Sequence, residues 1–182
     1  MPIPLPISPA DALRKIIDPT SALLPGVPWD DRAAVALLAI ALQEGGMDGQ
    51  IAYRQQISGP ARGPWMFEQG GGVHGVMTHQ ATAMLAGQLL ARRGVPKTER
   101  SAYLALAADD LLACGFARLL LFSDPAPLPE VGEGDAMLAY YLRNWRPGAY
   151  TRGNAATRTI LAGKFLHNYD VAVSTVRGEA TA

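Results

Sequence analysis

From Asp31 to Gln43 the chain reads DRAAVALLAIALQ, and this run constrains the fold more than any other. Val35, Leu38, Ala39 and Leu42 recur at helical spacing, which predicts an α-helix with Asp30 or Asp31 as its N-cap. The intervening positions are Ala and Leu too, so the helix has no polar face. A helix apolar on every side has to be wrapped by other elements. No apolar stretch approaches the ~20 residues that a membrane span needs, so the run is expected to be the central helix of a globular domain. It stops abruptly on Glu44, followed by Gly45 and Gly46. A long glycine-studded loop then extends to about Met77 and carries Trp65 and Phe67.

The remaining patterns are helical as well. Residues 1–8, MPIPLPIS, read as an extended proline-rich arm suited to docking on a neighbour. Ser8-Pro9 opens a short helix to about Ile17, and Asp18-Pro19 is expected to end it. A third helix covers roughly Thr78 to Arg93, closed by Gly94 and Pro96. Thr98 caps a fourth, and Asp109 or Asp110 a fifth. Asp135 opens a sixth, which ends at Trp145 before Arg-Pro-Gly. Asn154 caps the last, which reaches past Tyr169. No internal repeat and no series of strands is present. The expected architecture is all-α: an N-terminal arm (1–8), one helical domain (9–174) and a flexible tail (175–182).

Composition removes several function classes. At 182 residues the chain can bury a proper core. Sixteen Lys and Arg balance sixteen Asp and Glu, so no global field exists to grip nucleic acid or an anionic membrane. Arg92, Arg93, Lys97 and Arg100 form a basic cluster that reads as a solvated helix end. The lone Cys114 allows no internal disulfide and no Cys-based zinc cage, and its apolar surroundings suit a small buried side chain. His74, His79 and His167 lack metal-ligand spacing. The glycines of EQGGGVHG have no following Lys-Ser/Thr pair, and Ser58 lacks a nucleophile-elbow pattern. No metal and no cofactor is expected. The start has no basic region and its prolines disfavour a helical signal segment. The expectation is synthesis in a host cytoplasm without a signal peptide.

Glu44 is the candidate for chemistry. At the last turn of a helix the macrodipole is negative and disfavours a carboxylate. Burial of that helix pushes the same way and favours the protonated acid. A protonated carboxyl beside a cleft suits general-acid cleavage of a glycosidic bond. Gly45-Gly46 leaves room beside it, and Trp65 and Phe67 offer an aromatic wall for the apolar face of a sugar. The plainer alternative makes Glu44 an ordinary helix-ending polar residue and the two aromatics loop anchors.

The order Gln43-Glu44-Gly45, then Ser58-Gly59-Pro60-Ala61-Arg62-Gly63-Pro64-Trp65-Met66-Phe67, resembles the lytic transglycosylases and goose-type lysozymes. Those families place the catalytic glutamate in an ESG-like stretch at a helix end and follow it with a GAxGLWQ-like cleft loop. Leu142-Arg143-Asn144-Trp145-Arg146-Pro147-Gly148 resembles their AYNxGPG-like segment. The layout is also similar to small phage virion proteins of lysozyme-like type. The resemblance spans about 33–78 and 135–153. It implies a lysozyme-like fold with Glu44 as acid and then base. Substrate contacts would come from Ser58, Trp65, Met66, Phe67, Tyr140 and Asn144. In a lysozyme-type reaction Asp48 or Glu68 would supply a second carboxylate. The sequence departs from the pattern at Gly45, Met66 and Arg143, where the families carry Ser, Gln and Tyr.

Two functions follow from the resemblance. One is a phage or prophage virion-associated protein that cleaves the glycan strands of peptidoglycan at the cell wall or in the periplasm. The alternative is a non-catalytic virion structural or assembly protein that keeps the fold and meets other virion proteins through its N-terminal arm. Neither requires nucleic acid or a membrane span.

Overall fold

The computed structural model describes residues 2–55 and 59–179. Its centre is the expected helix, here α3 (Asp31–Gly45). The Asp30 carboxylate accepts from the Ala33 N–H at 3.1 Å, satisfying one of the donors a helix start leaves open. Every residue from Ala33 to Gln43 is buried.

Three long helices wrap α3. The last one, α10 (Ala155–Arg177), lies against it and is capped by Asn154, whose side-chain oxygen accepts from Thr157 N–H at 2.9 Å. α7 (Asp110–Phe122) is capped by Asp109, which accepts from Leu112 N–H at 3.0 Å. α8 (Gly134–Trp145) packs on α10. Shorter pieces close the remaining sides: α1 (Pro9–Ala12), α2 (Asp18–Ser21), α4 (His74–Thr78), α5 (Ala83–Arg92), α6 (Glu99–Ala105) and α9 (Gly148–Arg152). One hydrophobic cluster joins residues from Ile7 to Val173. The fold is mostly helical, and no helix among the described residues is long and apolar enough to cross a membrane.

Several boundaries differ from expectation. Asp18-Pro19 does not end the first helix. A π turn (Leu13–Ile17) carries it into α2, with the Asp18 N–H reaching Leu13 O. The wider turn accommodates the missing Pro19 donor. The expected 78–93 helix is broken at His79, whose extended backbone separates α4 from α5. α9 was not expected. α10 continues through Arg177 and ends on Gly178 at φ 68°, so the first residues assigned to the tail are helical.

The described parts of the Gly-rich loop carry regular hydrogen bonding. β1 (Gly46–Met47) and β2 (Gln50–Ile51) form an antiparallel hairpin. Its turn residues Asp48 and Gly49 have φ 51° and 72°, as a two-residue primed turn requires. Further on, Arg62 and Phe67 exchange backbone hydrogen bonds of 2.9 and 2.8 Å. A π turn (Gln69–Val73) then leads into α4.

The N-terminal arm makes contacts with its own domain. Ile7 is buried and pairs with Ile51 through bonds of 2.9 and 3.0 Å. Ile3 N–H donates to the Asp110 carboxylate at 2.8 Å, and Arg54 donates to that carboxylate at 2.6 Å and to the Ile3 carbonyl. Within the chain the arm thus meets β2, Arg54 and the start of α7.

Candidate active site

The end of α3 fixes the position of Glu44. Lys164 on α10 donates to the Gln43 carbonyl at 3.0 Å, so a cation meets the negative helix end. Asn168, one turn on, donates to the Gln43 side-chain oxygen at 3.0 Å within the core. Gly45 then takes the chain through a gap that only glycine fits. A Cβ there would lie 2.6 Å from Pro64 O and 2.9 Å from Tyr53 O. The Gly45 carbonyl accepts from both Ala52 and Tyr53 N–H at 2.8 and 3.0 Å.

Glu44 itself is half-buried and lines a cleft of about 500 Å³. Ala61, Met66, Phe67 and Leu120 give the cleft apolar surface. Glu68, Gly71 and Gly72 come from the loop that precedes α4, while Asn144, Trp145 and the segment Arg146–Ala149 come from the α8–α9 turn, with Thr151 and Arg152 behind them. The Tyr141 hydroxyl donates to Glu44 Oε1 at 2.5 Å. Tyr141 is buried and stacks on Phe165 with ring centroids 4.6 Å apart, so that donor is held rigidly.

Burial raises the Glu44 pKa above its ordinary value, against the opposing pull of the Tyr141 hydrogen bond and the Lys164 charge. Burial and the neighbouring Glu44 carboxylate both push the Tyr141 phenol upward, so it remains a donor. The arrangement offers one carboxyl group biased toward its acid form, oriented by a fixed donor, at the edge of a cleft. That equips it for proton transfer.

The other expected site residues divide between the cleft and the core. Trp65 is fully buried, and its indole N–H donates to the Leu37 carbonyl at 2.9 Å. It is an anchor of the loop on α3 and presents no face to a ligand, because the apolar loop gains more by burying the largest side chain than by exposing it. Phe67 lines the cleft but is 3 % exposed, held edge-on against Phe116 and Trp145. Met66 lines the cleft from a left-handed backbone position at φ 52°. Asn144 lines it too, with its amide donating to Asp124 and to the Tyr140 carbonyl, both at 2.9 Å.

Tyr140 turns away from the cleft. Its hydroxyl donates to Leu121 O at 2.7 Å inside the core, which makes it a helix-packing residue. Ser58 lies outside the described residues. Asp48 is exposed at the hairpin turn and does not line the cleft, whereas Glu68 does.

Tyr141 and Lys164 escaped sequence reasoning. Tyr140 and Tyr141 are adjacent on α8 and therefore about 100° apart around it, and only the rotation of α8 in the bundle decides which of them meets α3. The basic cluster resolves into separate local contacts: Arg93 pairs with Asp109 at 2.7 Å, and Arg92 donates to the Leu23 carbonyl at 2.6 Å. Cys114 is buried, and burial pushes its thiol up to about 12, which leaves it unreactive. No metal-binding group of His, Cys, Asp and Glu is found among the described residues. No protein-family model, curated protein or solved structure matches the chain.

Proposed function

We propose that this chain has a lysozyme-like fold and is a peptidoglycan glycosidase of lytic-transglycosylase type, carried by a phage or prophage virion and acting on glycan strands at the cell wall. The observation that carries the reading is the Glu44 carboxyl, raised in pKa by burial and fixed by Tyr141 where α3 meets the cleft. In its acid form Glu44 donates its proton to the glycosidic oxygen, and the bond to the anomeric carbon breaks. The resulting carboxylate then accepts the proton of the muramyl 6-hydroxyl as that oxygen bonds to the anomeric carbon. The product is a 1,6-anhydro end, and Glu44 is again protonated. Were water to replace the hydroxyl, Glu68 is the other carboxylate lining the cleft.

One departure from the transglycosylase pattern has a physical reason in this chain. A serine at position 45 would place its Cβ against the backbone of Pro64 and Tyr53, so glycine there follows from how closely this loop is folded. The alternative, a virion structural protein that retains the fold, is favoured by one specific observation: the burial of Trp65 removes the expected aromatic platform for sugar.

Incubation of the purified protein with isolated sacculi separates the readings. The enzyme releases muropeptides with 1,6-anhydro ends, identified by mass spectrometry, and Glu44→Gln releases none. Release at equal rates from both proteins excludes Glu44 as the acid. No release from either leaves the structural alternative.

A further inference from the structure

Two arginines of the lip, the segment that runs from the end of α8 through α9, line the cleft: Arg146 and Arg152. Among the described residues neither has a carboxylate within salt-bridge distance; Arg62, Arg92, Arg100, Arg118 and Arg158 share that property, but none of them lines this cleft. Arg146 uses its Nε to donate to Arg143 O at 3.2 Å, which leaves its terminal nitrogens free for a ligand. It stands in a left-handed conformation, φ 44° and ψ 57°, which is uncommon for a residue other than glycine. That conformation ends α8 and brings 147–152 round to the cleft. Arg152 lies across Gly148 so closely that a Cβ at 148 would overlap its guanidinium.

We propose that this lip recognises carboxylates borne by the glycan strand, with Arg146 and Arg152 as the two cations; the proposal takes its ligand class from the glycosidase reading above. Guanidinium forks match carboxylates in two-point geometry and are permanently charged. The chain carries no net charge, so the attraction is local to the lip. The carboxyls that line the cleft are Glu44, which burial holds toward its neutral form, and Glu68, which is exposed to solvent. A neutral amino-sugar polymer has nothing for two arginines to hold. A murein strand presents stem-peptide carboxylates along its length. The lip therefore selects peptide-bearing, acidic strands over bare or neutral ones.

The test uses the full chain with Glu44→Gln, so that ligand is not consumed. The probes are soluble uncross-linked glycan strands bearing stem peptides, and the same strands after carbodiimide amidation of their carboxylates. Calorimetry is expected to give binding to the native strands about tenfold tighter than to the amidated ones. Adding Arg146→Gln and Arg152→Gln should bring native-strand binding down to the amidated level and leave amidated-strand binding unchanged. Equal affinity for the two strands, an equal loss on both in the double variant, or no binding to either overturns the proposal. Cleavage is scored separately on the chain with Glu44 intact. A protein that binds acidic strands through the lip but cuts nothing sinks the glycosidase reading alone, and one that cuts with no contribution from the arginines sinks this proposal alone.

Discussion

At the Glu44 carboxyl, burial and hydrogen bonding act in opposite directions. Burial raises the pKa, while the Tyr141 hydroxyl and the Lys164 ammonium favour the ionised form and hold the rise in check. Tyr141→Phe removes one restraint and keeps the ring stacked on Phe165. The Glu44 pKa should then rise further, so more of the acid form survives at high pH. The alkaline limb of the kcat/KM profile for 1,6-anhydro release is expected to move to higher pH, with kcat lowered by about tenfold from loss of orientation. An unmoved limb would separate Tyr141 from the titration of Glu44. The adjacent tyrosine provides the control, since Tyr140 bonds to Leu121 O in the core. Tyr140→Phe should lower stability by about 1 kcal/mol and leave the limb in place.

Among the elements, the N-terminal arm depends on one buried ion pair. Asp110, 2 % exposed at its side chain, holds Arg54 and the Ile3 N–H together, so it serves both the arm and the loop that follows the hairpin. Truncating it leaves the Arg54 charge without its partner in a site only 17 % exposed. Asp110→Ala should therefore cost about 3 kcal/mol in urea unfolding, and limited proteolysis should show cleavage within residues 2–7 that the unaltered protein resists. Replacing both partners with apolar side chains should recover part of the loss, because no orphaned charge then remains. The end of α3 is held in a comparable way, by Lys164 and Asn168 from α10 meeting Gln43. Two elements distant in sequence thus determine where Glu44 sits.

For the molecule as a whole, the raised pKa of Glu44 implies a pH dependence of stability. The folded state binds this proton more tightly than the unfolded chain, whose glutamate keeps the ordinary value near 4.5. The contribution of the group to stability is fully present below that value and is lost as pH rises through the folded-state pKa. Glu44→Gln does not titrate and keeps an oxygen able to accept from Tyr141. Its Tm should match that of the unaltered protein at about pH 4 and exceed it increasingly as pH rises through the folded-state pKa of Glu44. A constant difference across the range would mean that Glu44 has the same pKa folded and unfolded. Inactivity combined with higher stability in the neutral range is the behaviour expected of a site whose acid is held against its solvation preference.

Sequence alone determined the helical class, the buried α3 and five helix starts. Those features rest on local rules: apolar periodicity, and side-chain oxygens of Ser8, Asp30, Thr98, Asp109 and Asn154 that accept from N–H groups three residues on. The Asp48-Gly49 turn was equally local and readable as a hairpin signal. Tertiary structure alone decided that Trp65 faces inward, that Tyr141 and not Tyr140 meets Glu44, that the arm folds back onto Asp110, and that Arg146 and Arg152 border the cleft. Each of those outcomes depends on how helices rotate and which segments meet across the core, a balance of burial and long-range hydrogen bonds that no short stretch of chain encodes.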